Sequence, residues 1–416
     1  MKKRISGNLK FKIIGFYMLG LIGFAIFSTP SHEIFTGLYK IIFSADLLIS
    51  DYLKVGGLGA AFINSGLLGL LSLLLIKIKK TKLNGLSIAA IFTIAGFALF
   101  GKNLVNVIPI ILGVWLYSRY QKENFNNFII PALFGTALAP MVSQIAYTLN
   151  FNTLGILLGV LFGMVIGFII PPIASHVLVA HEGFNLYNLG FAAGIVGTII
   201  VSIFRTFNFD SKAHLIWSTE FTKIIFIYLC FYFLSMILIG YILAIKNESS
   251  IKKIKNLWQK SGRAVTDFVI IDGFPLTLVN MGLMGLLYTV LLIVIRAPLN
   301  GPTVGGIFTI VGFSAFGKHP FNTVPVVIGV LLGAVTKGWS LQNPVFILAL
   351  LFSTTLAPIA GFFGSLSGVV AGFLHLSVVD NVTYLHGGLN LYNNGFSGGL
   401  VATFLYPLLD GLKKEG

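Results

Sequence analysis

Charge is scarce in this chain. Only 10% of its 416 residues are Asp, Glu, Lys or Arg, and just 13 are acidic, whereas a soluble globular protein carries about 25% charged residues. With 56% hydrophobic residues and a mean hydropathy of +0.92, a water-soluble domain is excluded and a polytopic membrane protein remains. Cysteine is nearly missing as well. The single Cys230 allows no intrachain disulfide and gives no reading of redox compartment. Catalytic signatures are also lacking: no G-x-S-x-G, no P-loop, no paired-carboxylate motif and no H-E-x-x-H occurs. Neither an enzyme nor a nucleotide-driven pump is therefore expected of this chain. His176 and His181 stand five apart with no Cys nearby, so no metal site is expected.

Basic residues outnumber acidic ones, giving a net charge of +15. In a soluble protein that excess would suggest nucleic acid; in a membrane chain it marks cytoplasmic loops. The expected partners are thus the lipid bilayer and a small-molecule solute, with no nucleic acid, and an oligomer is compatible with the sequence.

What the chain has in abundance is apolar runs. Ile13 to Phe27, Leu58 to Ile76, Phe128 to Leu149, Leu154 to Ile170, Ile224 to Ile245, Leu276 to Ile295 and Pro344 to Phe363 are each near the ~20 residues that span a bilayer. The first run follows a basic start and could be mistaken for a secretory signal, but it has a counterpart in the run from Phe221 to Ile245. It is read as a retained transmembrane helix.

That counterpart belongs to a duplication. Asn84-Gly85, Ile91-Phe92-Thr93-Ile94, Gly96-Phe97, Phe100-Gly101-Lys102, Asn106 and Pro109 return 216 residues later as Asn300-Gly301, Ile307-Phe308-Thr309-Ile310, Gly312-Phe313, Phe316-Gly317-Lys318, Asn322 and Pro325. The same offset pairs Asp51 with Asp267 and Asn64 with Asn280. A second motif, His181-x-Gly183-x-Asn185-Leu186-Tyr187-Asn188-x-Gly190-Phe191, recurs as His386-x-Gly388-x-Asn390-Leu391-Tyr392-Asn393-x-Gly395-Phe396. The unit is too long for a solenoid repeat, so residues 1–215 and 216–416 are read as two fused halves. Duplicated membrane chains commonly hold a site at the repeat interface.

Charge bias sets the orientation of each half. Lys2, Lys3, Arg4, Lys10 and Lys12 place the N-terminus in the cytoplasm, and Lys77, Lys79, Lys80 and Lys82 mark the loop before Asn84 as cytoplasmic. The equivalent loop before Asn300 has only Arg296, while Lys252, Lys253, Lys255, Lys260 and Arg263 crowd the other side of the second half. Equivalent segments carry opposite bias, as expected of inverted repeats. Lys413 and Lys414 return the C-terminus to the cytoplasm.

The Gly-Lys motif reads as a broken hairpin. Ser87 to Phe100 and Leu104 to Tyr117 give only about 21 Å of helix each, short of the ~30 Å hydrocarbon core. Either a re-entrant hairpin or two short tilted crossings fits. Lys102 and Lys318 fall in the break. With the free N–H groups of the helix that follows, each could receive an anionic group; alternatively each snorkels, or pairs with Asp51 or Asp267.

In the second motif, Asn185, Tyr187 and Asn188, with Asn390, Tyr392 and Asn393, are costly against lipid and should face the interior. Their oxygens suit a hard cation such as Na⁺ or a polar solute, or they clamp one helix to another. His181 and His386 are candidates for coupling to H⁺, or structural hydrogen-bonders. Asp51 and Asp267 could be gate or coupling carboxylates, or charges at helix N-termini.

The pairing of I-F-T-I-x-G-F-x-x-F-G-K with H-x-G-x-N-L-Y-N-x-G-F over almost the full length resembles an uncharacterised family of bacterial integral membrane proteins of about this size, a domain of unknown function. That resemblance implies the bacterial cytoplasmic (inner) membrane. The duplicated halves with interrupted segments are also similar in plan to urea-channel and elevator-type transporters. The expectation is an all-α polytopic protein of two inverted repeats with broken or re-entrant helices. It would act as a secondary transporter of a small polar or anionic solute, with a passive channel as the alternative and a membrane enzyme as the minor one. No cofactor is expected beyond a coupling ion, Na⁺ or H⁺.

Overall fold

The computed structural model describes residues 5–46, 48–208, 215–246 and 251–414. Lys2, Lys3 and Arg4, used above for orientation, lie outside them. So do residues 209–214, close to the boundary drawn between the halves.

The described residues form helices, in two series that match one for one. The first series is α1 (Gly7–Ser28), α2 (Leu58–Ile78), α3 (Gly85–Phe97), α4 (Leu104–Tyr120), α5 (Ile129–Gly135), α6 (Ala139–Thr148), α7 (Thr153–His181) and α8 (Asn188–Thr206). The second is α9 (Thr222–Lys246), α10 (Phe274–Val294), α11 (Gly301–Phe313), α12 (Pro320–Thr336), α13 (Pro344–Phe352), α14 (Ala357–Phe363), α15 (Ser365–Val382) and α16 (Asn393–Lys414). Among the described residues nine helical runs are long and apolar enough to cross a membrane. Their outer faces carry large exposed apolar side chains such as Phe16, Phe231 and Leu161, as a lipid-facing surface requires.

The halves are inverted, and the contacts between equivalent helices show it. Helices α3 and α11 pack against each other antiparallel. A Cβ placed on Gly85 would meet the Ala315 carbonyl, and one on Gly301 the Leu99 carbonyl; each helix starts where the other ends. Midway, Gly96 lies against Gly305, and Gly312 against Ala89 and Phe92. These contacts map onto one another under the 216-residue offset, so a pseudo-two-fold axis runs between the helices and across them. The motif glycines Gly190 and Gly395 meet on the same symmetry: a Cβ on either would sit 2.9 Å from the other's Cα. Phe191 packs on Gly399, and Phe396 on Gly194. Small residues there let the backbones of α8 and α16 touch.

Both Gly-Lys hairpins are built from short helices. Helices α3 and α11 have 13 residues each, about 20 Å of rise. Gly101 and Gly317 then turn the chain with φ of 91° and 101°, a region that glycine enters without steric cost. Asn64 on α2 donates to the Ala98 and Lys102 carbonyls at 2.7 Å each, and Asn280 on α10 does the same for Ser314 and Lys318 at 2.8 and 2.9 Å. The repeated asparagines thus satisfy backbone that the helix break leaves without partners.

Two spans read as continuous are interrupted. Between α5 and α6 a tight turn runs Thr136–Leu138, and between α13 and α14 another runs Ser353–Leu356. Pro140 and Pro358 open the helices that follow, where a missing N–H costs nothing. Each interruption frees a carbonyl for the opposite half: Leu391 N–H donates to Ala137 O, and Leu186 N–H to Thr355 O, both at 3.0 Å. The Asn-Leu-Tyr run of each half therefore crosses the broken helix of the other. Helix α7 also runs longer than the apolar stretch from Leu154 suggests, continuing through Pro171 and Pro172 to His181.

Candidate functional site

Lys102 and Lys318 are both fully buried, and each takes one hydroxyl partner from its own half and one from across the repeat interface. Lys102 Nζ donates to Tyr392 OH at 2.6 Å and to Thr136 Oγ1 at 2.8 Å. Lys318 Nζ donates to Tyr187 OH and to Thr354 Oγ1, the latter at 2.8 Å. Each ammonium also faces the ring of its tyrosine, at 4.5 and 4.3 Å from the centroids, and a phenylalanine on its own hairpin, Phe97 or Phe313, at 5.4 and 5.3 Å. The threonine hydroxyls donate onward to Leu133 O and Leu351 O, so they accept from the lysines. Among the described residues no ion pair involves either lysine.

The alternative in which the lysines pair with Asp51 or Asp267 is therefore not what the structure contains. Asp51 accepts from the backbone N–H of Leu53, Ser218 and Gly301, and from the Ser218 hydroxyl. Asp267 accepts from the N–H of Gly85 and Ile270. Each carboxylate thus sits on the first N–H of the first hairpin helix of the other half, Asp267 on α3 and Asp51 on α11. The positive end of a helix favours that placement. Of the two roles the sequence left open for these aspartates, their contacts are those of helix N-terminal charges.

In the first half the free N–H groups anticipated after the break are also occupied. Asn103 Oδ1 accepts from the N–H of Val105 and Asn106. Asp46 closes the same helix end, accepting from Asn103 and Asn106 side-chain amides at 3.0 Å each and from Ser143 at 2.6 Å. The second half has no such carboxylate. There His319 Nε2 lies 2.8 Å from Lys260 O, and Asn322 reaches Ser261 O.

The asparagines hold chain rather than present open oxygens. Asn188 Oδ1 lies 2.9 Å from His181 Nε2 while its amide donates to Ala174 O. Asn393 repeats the arrangement with His386 at 2.8 Å and with Thr383. Because each amide nitrogen is already a donor, the amide oxygen must accept, and the histidine proton belongs on Nε2. Asn185 Oδ1 accepts from Tyr187 N–H and Thr355, and its amide donates to Gly395 O. Asn390 Oδ1 accepts from Tyr392 N–H, and its amide nitrogen is buried with no partner. Ala137, standing where the second half has Thr355, leaves Asn390 Oδ1 without the hydroxyl donor that Asn185 has.

A cavity of about 480 Å³ lies between the halves against this network. Phe97, Phe134, Phe313, Phe316, Phe352 and Leu391 build its walls. Tyr187, Tyr392, Thr93 and Thr309 supply polar atoms. At the rim Arg263 donates to the Glu182 carboxylate and carbonyl at 2.7 Å each and lies 4.6 Å over the Phe184 ring. A second cavity, about 630 Å³, is lined by Leu48, Ile49, Leu348, Thr383 and Asn393 among others. The two are symmetry-related: Ile49 corresponds to Val265, and Leu48 to Ala264, on the first cavity's rim. They enter from opposite ends of the α3/α11 pair and share Phe352, Leu391 and Asn394. They are unequal, since Val265 is 79% exposed and Ile49 only 7%.

Of the residues singled out in the sequence, the structure gathers Lys102, Lys318, Tyr187 and Tyr392 into one cross-linked cluster, with Asn185 and Asn188 on the cavity wall. Asp51 and Asp267 stand apart at the helix ends, and neither lines the cavity. Sequence reasoning missed Thr136, Thr354, Phe134 and Phe352. Their signal was a third repeated motif, Leu133-Phe134-Gly135-Thr136-Ala137-Leu138-Ala139-Pro140, which recurs as Leu351-Phe352-Ser353-Thr354-Thr355-Leu356-Ala357-Pro358.

Apolar helices, inverted halves and a cavity at their interface define a multi-pass membrane protein of duplicated, broken-helix architecture. The chain belongs to the family described as protein of unknown function DUF1576, whose profile matches residues 30–206 and 246–411. No curated protein and no solved structure matches it.

Proposed function

We propose that this protein is a secondary transporter of a small polar or anionic solute in the bacterial cytoplasmic membrane, with both termini in the cytoplasm. One observation carries the reading: two symmetry-related cavities enter from opposite ends of the central helix pair and share a floor of Phe352, Leu391 and Asn394, with their equivalent rim residues Val265 and Ile49 exposed to very different degrees. Inverted repeats of this kind exchange conformations, so that the second half adopts the arrangement of the first and access moves to the other side. Tyr187 and Tyr392 would be the solute-facing groups, with Lys318 and Lys102 hydrogen-bonded behind them. The Asn-Leu-Tyr runs, fixed by His181 and His386, would be the segments that shift between states. With the lysine-rich segment before Arg263 in the cytoplasm, the cavity beside Val265 faces inward. A Na⁺ or H⁺ gradient would drive transport.

Flux into proteoliposomes tests the proposal. Uptake should saturate with solute and rise when a Na⁺ or H⁺ gradient is imposed. Rapid, non-saturating equilibration that ignores both gradients would overturn it in favour of a passive channel.

A further inference from the structure

The same cavity carries a statement about the solute's chemistry, which rests on the reading of this site as the solute site. Its walls are chiefly aromatic and aliphatic, with Phe97 and Phe313 on the two hairpins and Phe134 and Phe352 at the two helix breaks. A sugar, a phosphate or a free amino acid would give up most of its water there and find few hydrogen-bonding partners in return. An apolar body meets no such cost.

The cavity nonetheless has basic groups beside it. Behind the tyrosine layer lie two buried lysine amines, each held by hydroxyls alone and facing aromatic rings. An ammonium in a low-dielectric interior is costly without an anionic partner, and neither amine has one among the described residues. A single acidic group on a bound molecule would supply what the protein does not. One further polar atom is available to orient it: Thr93 Oγ1 lines the cavity, belongs to a residue only 2% exposed, and has no hydrogen-bond partner. Its equivalent, Thr309, donates back to Gly305 O. The rim arginine is no competitor for the acid group, because Glu182 already occupies it.

We infer that the site takes organic monoanions with an apolar, ring-sized or branched body, the acid group lying toward the Lys–Tyr pairs and Thr93 and the body among the phenylalanines.

Thermal unfolding of the purified protein in detergent tests this with a matched set of probes: phenylacetate, its neutral amide phenylacetamide, acetate, and inorganic phosphate. Phenylacetate should raise Tm by a few degrees in a saturable manner, because it binds only the folded state. Phenylacetamide, acetate and phosphate should each shift it far less. Thr93→Val should weaken the phenylacetate response several-fold, and Lys102→Met with Lys318→Met should abolish it; the acid–amide comparison on the unaltered protein stands even where that double variant does not fold. An equal response to the amide, an equal or larger response to phosphate, or no response to any probe would overturn the inference. The readout does not depend on transport. Selective phenylacetate binding without flux would support the inference while removing the transporter proposal, and gradient-driven flux of a hydrophilic solute without phenylacetate binding would do the reverse.

Discussion

Lys102 and Lys318 illustrate how a buried lysine amine can be held without a carboxylate. Each uses one hydroxyl from its own half and one from the other, with aromatic faces around the amine. Tyr392→Phe removes one hydrogen-bond partner from a buried polar group, which should cost about 1–3 kcal/mol. Tyr187→Phe should cost a similar amount, because the two sites are related by symmetry. Reversible SDS-induced unfolding would measure both, and a loss confined to one variant would contradict the paired description. The lysines themselves were legible as candidates, since they recur at a helix break. Their partners were not. Tyr392 is 290 residues from Lys102, and only the inverted packing brings them together. The asparagines were read as possible ligands from their polarity alone, whereas their geometry shows amide oxygens already accepting from protein donors.

At the scale of elements, the short hairpin helices are secured by the opposite half. Asp267 receives the first N–H of α3, and Asp51 that of α11. Replacing either by alanine should destabilise by about 1–2 kcal/mol through loss of the cap and its dipole interaction. Affinity for a bound solute should hardly change, since neither residue lines the cavity; a large loss of affinity at unchanged stability, measured in the same titration, would return these aspartates to a coupling role. The contact of α8 with α16 is equally exacting. Gly190→Val places a branched side chain against the Gly395 backbone and the Tyr392 side chain, and overpacking of that kind should cost about 1–3 kcal/mol. The hairpins could be read from the sequence because they are short and broken by Gly-Lys. The interrupted spans of α5–α6 and α13–α14 could not be read by composition, because a proline in the first turn of a helix hides inside an apolar run. The repeated Leu-Phe-x-Thr-x-Leu-Ala-Pro would have exposed them.

For the whole molecule, inverted symmetry was visible in the distribution of lysines, and the antiparallel contact of α3 with α11 gives it a structural basis. What charge could not convey is that the two copies differ. Asp46 has no counterpart beside α12, Thr355 is replaced by Ala137, and Glu182 by Gly387, so the two ends of the central helix pair carry different chemistry. The central claim is that Val265 and Ile49 stand at equivalent entrances on opposite sides of the membrane, and that access alternates between them. Single cysteines at these positions, in a Cys230→Ser background, can be labelled with a membrane-impermeant maleimide from either side of oriented vesicles. The account predicts that Val265→Cys reacts from one side only and Ile49→Cys from the other only, with conditions that protect the first increasing reaction at the second. Labelling of both from the same side, or simultaneous protection of both, would contradict it.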